Sequence, residues 1–291
     1  MRAHRWSLVL IPLLVLAAAC GGDDDDGSSD PSDEAAEVEA FPAGTTMARL
    51  QEAGEITVGT KFDQPLFGLK NPRNGEVEGF DVEIARLIAA RLGPDVKVNF
   101  VETPSSIRET AIEDGTVDLV VATYTINDTR KTRIDFAGPY YVAGQDIMVD
   151  ADDDSIESVN DLAGKTVCSV QGSTSIANIK TFAPQARTVE YDVYSKCADD
   201  LRNGRVDAVS TDNVILVGLI STSNGAFKLV GEPFTTEPYG IGLKKGDTAF
   251  RTFVNDVLEE IAENGEWADA YEDTVGTVAE ETPEPPAVDR Y

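Results

Sequence analysis

Short apolar segments alternate with longer amphipathic ones between about Thr45 and Gly276. Runs that are wholly apolar or alternate with period two predict strands, whereas apolar residues three and four apart predict helices. The first series is a strand at 56–58, a helix at 82–92, a strand at 96–101, a helix at 106–113 and a strand at 117–122. This repeated order is typical of parallel sheets covered by helices.

A second series of strands and helices follows the segment Gly138-Pro139-Tyr140-Tyr141. Its strands are expected near 145–149, 166–170, 188–191 and 206–210. A last strand at 239–243 precedes a helix whose apolar stripe runs from Phe250 to Ile261, and this unit has no evident partner in the second series. If it packs on the first series, the chain crosses twice between two lobes. We therefore predict an α/β fold of two lobes, each a mainly parallel sheet covered by helices.

These patterns predict the following division of the chain. Lobe 1 is discontinuous and comprises 45–140 plus 241–278, lobe 2 comprises 146–235, and the segments 141–145 and 236–240 form a hinge. The end of the chain, 279–291, is rich in Pro and Glu and has no apolar period, so we expect a disordered tail.

The first residues indicate export. Arg2 and Arg5 precede an apolar core at 8–18 that is too short to span a bilayer, which predicts a signal peptide over 1–19. The segment ending at Cys20 resembles the lipobox of bacterial lipoproteins, although Ala17 stands where Leu is usual. This resemblance implies a lipid on Cys20 and attachment to the extracellular face of the cell membrane; secretion without an anchor is the alternative. The acidic segment 20–44 is expected to be a flexible tether.

Charge and cysteine usage narrow the class of protein. With 24 basic and 52 acidic residues the formal net charge is −28, which disfavours binding to nucleic acid or anionic lipid. Export makes Cys168 and Cys197 a disulfide candidate, with two buried free thiols as the alternative. The single His, His4, lies in the predicted signal, so we expect no metal site and no cofactor.

A cationic side chain follows a buried strand at 117–122. Thr123, Thr125 and Arg130 come directly after this strand, and the strand ends of an open α/β sheet are where ligands bind. An Arg beside hydroxyl groups suits a small carboxylate, because a guanidinium donates two parallel hydrogen bonds to it. The alternative is a solvated Arg paired with Asp128 or Asp135.

Several segments resemble the polar amino acid-binding family of bacterial extracellular solute-binding proteins (family 3). They are Gly79-Phe80-Asp81-Val82-Glu83-Ile84, 122–130, 134–141 and 204–209, in the family's order and spacing. The resemblance implies a periplasmic-binding-protein-like (type II) clamp. The segments Lys61-Phe62-Asp63-Gln64-Pro65 and 168–174 look like the glutamate-binding lipoproteins of actinobacterial ABC importers.

The resemblance also implies roles for individual residues. The Arg130 position holds the ligand α-carboxylate with Thr125 and the backbone at Thr123, and Asp212 accepts from the ligand ammonium, although Asp212 is also a good N-cap candidate. Three residues at a helix start are implied to contact the ligand from lobe 2, namely Gly172, Ser173 and Thr174.

Specificity depends on two further cations. Lys61 and Arg108 align with basic positions of glutamate- and aspartate-binding relatives, which implies a second carboxylate in the ligand, although Lys61 stands where the relatives have Arg. Tyr194 and Phe62 are candidates for contacts to the ligand side chain, and packing in the core is the alternative for both.

Together these observations predict a monomeric, lipid-anchored binding protein of an ABC importer that closes over L-glutamate, or secondly L-aspartate, and delivers it to the permease subunits. The chain has no Gly-rich phosphate loop followed by Lys and Ser or Thr, so ATP hydrolysis belongs to another subunit. Two alternatives are an amino acid sensor and an enzyme similar to cyclohexadienyl dehydratase. We expect no enzyme, because no His remains as a general acid or base.

Overall fold

The computed structural model describes residues 40–279 and 281–291. The predicted signal peptide, the lipid site at Cys20 and most of the predicted tether lie outside the described residues. Within the part that is described, no helix is both long enough and apolar enough to cross a membrane.

The first lobe is built on a five-stranded sheet of order β5-β1-β6-β13-β7. These strands are β1 (Glu55–Thr60), β5 (Lys97–Glu102), β6 (Leu119–Val120), β7 (Asp135–Ala143) and β13 (Glu237–Leu243). A small sheet beside it contains β2 (Asp63–Gln64), β3 (Gly68–Lys70) and β4 (Val77–Glu78). Its helices are α1 (Thr46–Ala53), α2 (Phe80–Leu92), α3 (Arg108–Glu113), α4 (Asp128–Lys131), α8 (Thr248–Asn264) and α9 (Glu266–Glu272), with a 3₁₀ turn at Val275–Thr277.

The second lobe has its own five-stranded sheet of order β10-β9-β11-β8-β12. Its strands are β8 (Gln145–Asp150), β9 (Thr166–Val170), β10 (Arg187–Tyr191), β11 (Ala208–Asp212) and β12 (Phe227–Leu229). Its helices are α5 (Thr174–Phe182), α6 (Tyr194–Arg202) and α7 (Asn213–Ser221), with a 3₁₀ turn at Val159–Leu162. The predicted disulfide between Cys168 and Cys197 is present and joins β9 to α6.

The predicted class, an α/β fold of two lobes, is confirmed, but the parallel part of each sheet is smaller than expected. Only β5-β1-β6 and β10-β9-β11 are parallel, whereas the remaining pairs are antiparallel. The reason lies in the connections. In lobe 1, β7 leads out towards lobe 2 and β13 leads back, so the two strands run in opposite directions, and β13 also runs against β6.

The two strands that lead between the lobes pair with each other. Ala143 lies opposite Glu237 and Tyr141 lies opposite Tyr239 in an antiparallel ladder. Tyr141 and Tyr239 also belong to a buried aromatic cluster with Phe67, Phe80, Tyr140, Trp267 and Tyr271. The segments expected to form the hinge are therefore anchored in the core of lobe 1.

The end of the chain corrects the expected disordered tail. The Asp289 amide donates to the Gly138 carbonyl (2.9 Å), and the Phe136 amide donates to the Tyr291 hydroxyl (2.8 Å), so residues 289–291 lie along β7 at the edge of the sheet. Arg290 pairs with Glu259 of α8, and Val288 packs against the core. A segment without apolar period still orders when single side chains fit an existing surface, and sequence periodicity cannot detect this.

Deletion of residues 281–291 should lower the free energy of unfolding by about 1–3 kcal/mol, because it uncovers apolar surface and leaves the β7 edge unpaired. Thermal unfolding followed by circular dichroism measures the loss. Tyr291→Phe is the matched control, since it removes one hydrogen-bond acceptor and keeps the ring between the Lys131 and Arg251 cations. An unchanged melting temperature after the deletion would show that the tail does not stabilise the fold.

Candidate functional site

Arg130 is placed by the backbone that follows β6. Asn127 caps the short helix α4 by accepting from the Arg130 amide (2.9 Å), which turns the chain so that the Arg130 side chain is buried. Earlier in the same loop Thr123 has a left-handed backbone conformation (φ 45°). Its amide donates to the Asp81 carboxylate (2.8 Å) and its hydroxyl to Gln64 Oε1 (3.0 Å), which together hold this unusual conformation.

The Arg130 guanidinium connects the two lobes. It donates to the Thr125 carbonyl of lobe 1 (2.6 Å) and to the Gly172 carbonyl of lobe 2 (3.2 Å), and it lies 3.4 Å from Glu109. Burial and the neighbouring Arg108 lower the pKa of Arg130 to about 10, so the side chain stays positively charged at neutral pH.

The guanidinium groups of Arg108 and Arg130 both lie against the ring of Tyr124. Arg108 is 3.9 Å and Arg130 is 4.8 Å from the centre of the Tyr124 ring, which is a favourable cation–π geometry for both. Arg108 is 2% exposed and donates to the Ala122 carbonyl (2.8 Å), but its Nε has no hydrogen-bond partner among the described residues. Such a donor is available to an anion.

Asp212 supplies the opposite charge from lobe 2. It stands at the N-cap position of α7, but its side chain makes no capping bond. One oxygen accepts from the Tyr239 hydroxyl (2.6 Å), and the other is buried without a partner in the described chain. Burial and the nearby Glu237 raise the pKa of Asp212 from 3.8 to about 7, so a cation bound here would favour its ionised form.

The helix start at Gly172, Ser173 and Thr174 faces lobe 1. Ser173 is the N-cap of α5, and the Thr174 hydroxyl lies 3.5 Å from that of Thr125 and donates to Glu237 (2.9 Å). Gly172 has φ +78°, and a Cβ there would lie 2.7 Å from the Ser106 Cα in lobe 1. The backbones of the two lobes therefore approach each other closely at this glycine.

Lys61 and Phe62 differ from the other candidates. Lys61 is buried and donates to the Ser105 hydroxyl (2.8 Å), while burial and Arg108 lower the pKa of Lys61 to about 7. Ser105 lines a cavity between the lobes, but Lys61 itself does not. Phe62 is not brought to the cavity: its carbonyl pairs with the Lys70 amide (3.0 Å), and its ring lies beneath the Lys70 ammonium (5.1 Å).

One narrow cavity between the lobes is lined by most of the predicted residues. Its walls contain Arg108, Thr123, Thr125, Arg130, Ser173, Thr174, Tyr194 and Asp212. Sequence reasoning did not assign Gln64, Ser105, Ser175 and Ile215, which also line it. Gln64 had a detectable signal, since it follows the first strand in the same segment as Lys61, and its buried Nε2 has no partner in the described part of the chain.

Asp81 is a further buried carboxylate near this wall. It accepts from the Thr123 amide and from the Tyr140 hydroxyl, and burial raises the pKa of Asp81 to about 7. Its sequence signal was a single acid within the apolar period of α2. Residues 40–279 and 281–291 contain no group of three or more His, Cys, Asp or Glu side chains that could hold a metal ion.

A cavity enclosed by two α/β lobes, with buried cations on one side and a buried carboxylate on the other, defines a binding protein for a small zwitterion. The family model described as bacterial extracellular solute-binding proteins, family 3, matches residues 56–277. The chain belongs to this family of extracellular solute-binding proteins. It is a solute-binding protein and not an enzyme, in agreement with the sequence prediction.

Two relatives and one solved structure illustrate the similarity. The ABC transporter glutamine-binding protein GlnH of Bacillus subtilis (strain 168) is 41% identical over 78% of this chain and 83% of its own length. The glutamate-binding protein GluB of Corynebacterium efficiens is 42% identical over 74% of this chain and 76% of its own. An ancestral arginine-binding protein bound to glutamine has a TM-score of 0.72 and 39% identity, covering 77% of this chain and 98% of that one.

Asp212→Asn should stabilise the ligand-free protein by about 1–2 kcal/mol at pH 7, because the variant removes a buried charge and keeps an acceptor for Tyr239. Folding raises the pKa of Asp212 from 3.8 to about 7, so the folded state binds more protons between these values and wild-type stability falls as the pH rises from about 4 to about 7.

Thermal melts of both proteins at pH 5 and pH 7 measure this effect. The variant should gain more at pH 7 than at pH 5, and it should lose affinity for amino acids. A variant that is less stable than wild type at pH 7 would contradict the assignment of a costly buried carboxylate.

Proposed function

We propose that this chain is the extracytoplasmic binding lipoprotein of an ABC importer for an acidic amino acid, L-glutamate first and L-aspartate second, which it delivers to the permease by hinge closure. The observation that carries the proposal is a pair of buried atoms on oppositely charged side chains of one small cavity, Arg108 Nε and Asp212 Oδ1, which have no hydrogen-bond partner among the described residues. A ligand with both carboxylate and ammonium groups satisfies them together.

The α-amino acid part of the ligand is assigned to Arg130 and Asp212. Arg130 and Thr125 in lobe 1 would hold the α-carboxylate, while Asp212 and Ser173 in lobe 2 would bind the ammonium and complete the enclosure. Because the contacts from lobe 2 exist only when the lobes are closed, binding favours closure. Arg130 donates to the Gly172 carbonyl, and the ligand carboxylate would replace that weaker contact.

The second carboxylate is assigned to Arg108, supported by Lys61. Arg108 and Lys61 are both buried, and burial together with the positive charge of Arg108 lowers the pKa of Lys61, so an anion in the cavity would offset the repulsion between the two cations. Glutamine is the competing ligand, since GlnH binds it and the Gln64 amide suits a neutral side chain. The similarity to GluB supports glutamate.

Arg130→Ala should weaken binding of L-glutamate and L-glutamine at least about a hundredfold, because it removes a buried charge-assisted contact to the α-carboxylate common to both. Isothermal titration calorimetry measures both affinities. Arg133→Ala is the matched control, since Arg133 is an exposed arginine three residues further on that pairs with Glu113. Unchanged affinity in Arg130→Ala would remove the assignment of this site.

Arg108→Ala and Lys61→Ala should weaken L-glutamate about tenfold more than L-glutamine, because only glutamate presents a second carboxylate. Titration of each variant against glutamate, aspartate, glutamine and asparagine gives the ratio, and Lys70→Ala serves as an exposed lysine control. An equal loss for the acids and the amides would overturn the acidic specificity and leave amino acid binding in place.

A further inference from the structure

A contact between the lobes lies outside the cavity and caps a helix. Asp63 belongs to β2 of lobe 1, and its Oδ2 accepts from the Tyr194 amide (2.7 Å) and the Ser195 amide (3.4 Å) of lobe 2. These amides are the first two of α6. Asp63 is not among the residues that line the cavity, so this carboxylate is placed on the other lobe rather than on the ligand.

Helix α6 has no side-chain cap of its own. Val193 occupies its N-cap position and cannot accept a hydrogen bond from the first turn. The first amides of a helix need acceptors, and the helix dipole favours a negative charge at that end. Asp63 meets both needs, but only while the lobes are together.

The neighbouring residue reinforces this contact by its shape. The Pro65 carbonyl of lobe 1 lies so close to Gly218 of α7 that a Cβ on Gly218 would be 2.3 Å from the carbonyl oxygen. Between them Gln64 reaches the cavity. The segment Asp63-Gln64-Pro65 thus fits between the start of α6 and the glycine of α7 and touches both of these helices.

Tyr194 links this contact to the site. Its amide is bound by Asp63, while its side chain is 3% exposed and forms part of the cavity wall. Fixing the backbone of Tyr194 therefore fixes one wall of the cavity without any contact between Asp63 and the ligand.

We propose that Asp63 is a positioning residue that holds the closed form by capping α6 from the opposite lobe. Asp63 then sets the affinity for every ligand by the same factor and does not set selectivity. This inference rests on the hinge closure of the proposed function, but it is independent of which amino acid is bound.

Asp63→Ala should weaken L-glutamate and L-glutamine equally, by about five- to tenfold, which corresponds to the loss of one helix cap. Asp63→Asn should restore affinity to within about twofold of wild type, because Asn is also a good cap. Asp247→Ala is the matched control: Asp247 caps α8 by accepting from the Phe250 amide (3.1 Å) inside lobe 1, so its loss should lower the melting temperature and leave affinity unchanged.

Small-angle X-ray scattering of the ligand-free proteins gives a second readout. The radius of gyration should increase in Asp63→Ala and in Gly218→Ala relative to wild type and Asp247→Ala, because the first loses the cap and the second blocks the approach of Pro65.

Three results would overturn the proposal. The first is an unchanged affinity and radius of gyration in Asp63→Ala. The second is a loss of affinity confined to glutamate, which would mean that Asp63 acts through the charge of Lys61. The third is an Asp63→Asn variant that binds as weakly as Asp63→Ala. If wild type binds neither amino acid, the proposed ligand is wrong, while the scattering comparison still decides whether Asp63 holds the lobes together.

Discussion

Charged groups held away from water without a full set of partners are the constraint on which this molecule depends. The cavity between the lobes retains Arg108 Nε and Asp212 Oδ1 in that condition. Removing a charge from water costs several kcal/mol unless a counter-charge replaces the lost hydration. An empty closed cavity is therefore unfavourable, and a zwitterion is the kind of solute that corrects the deficit at both ends.

The rest of the structure keeps these charges from relaxing into solvent. The Tyr124 ring makes cation–π contacts with both guanidinium groups. The Tyr239 hydroxyl donates to one oxygen of Asp212 from across the cleft. Tyr239 is itself fixed by the aromatic cluster at the base of the crossing strands. Tyr239, on the strand that leads back into lobe 1, thus connects the aromatic cluster to the charged cavity.

Local patterns were sufficient to find much of this arrangement. A buried strand followed by hydroxyl groups and a cation located Arg130, and the alternation of strands and helices predicted two α/β lobes. What failed were features that depend on partners distant in sequence. β13 pairs antiparallel with β7 across the whole of lobe 2, and Asp63 meets α6 131 residues further along the chain. No periodicity within a window of the sequence encodes such contacts.

The ordered end of the chain bears on how the molecule behaves among its own copies. β7 is the outer strand of its sheet, and an uncovered outer strand offers its amides and carbonyls to any other extended chain. Residues 289–291 occupy the Gly138 carbonyl and the Phe136 amide of that strand. The protein therefore carries its own cover for the edge through which two copies could otherwise join their sheets.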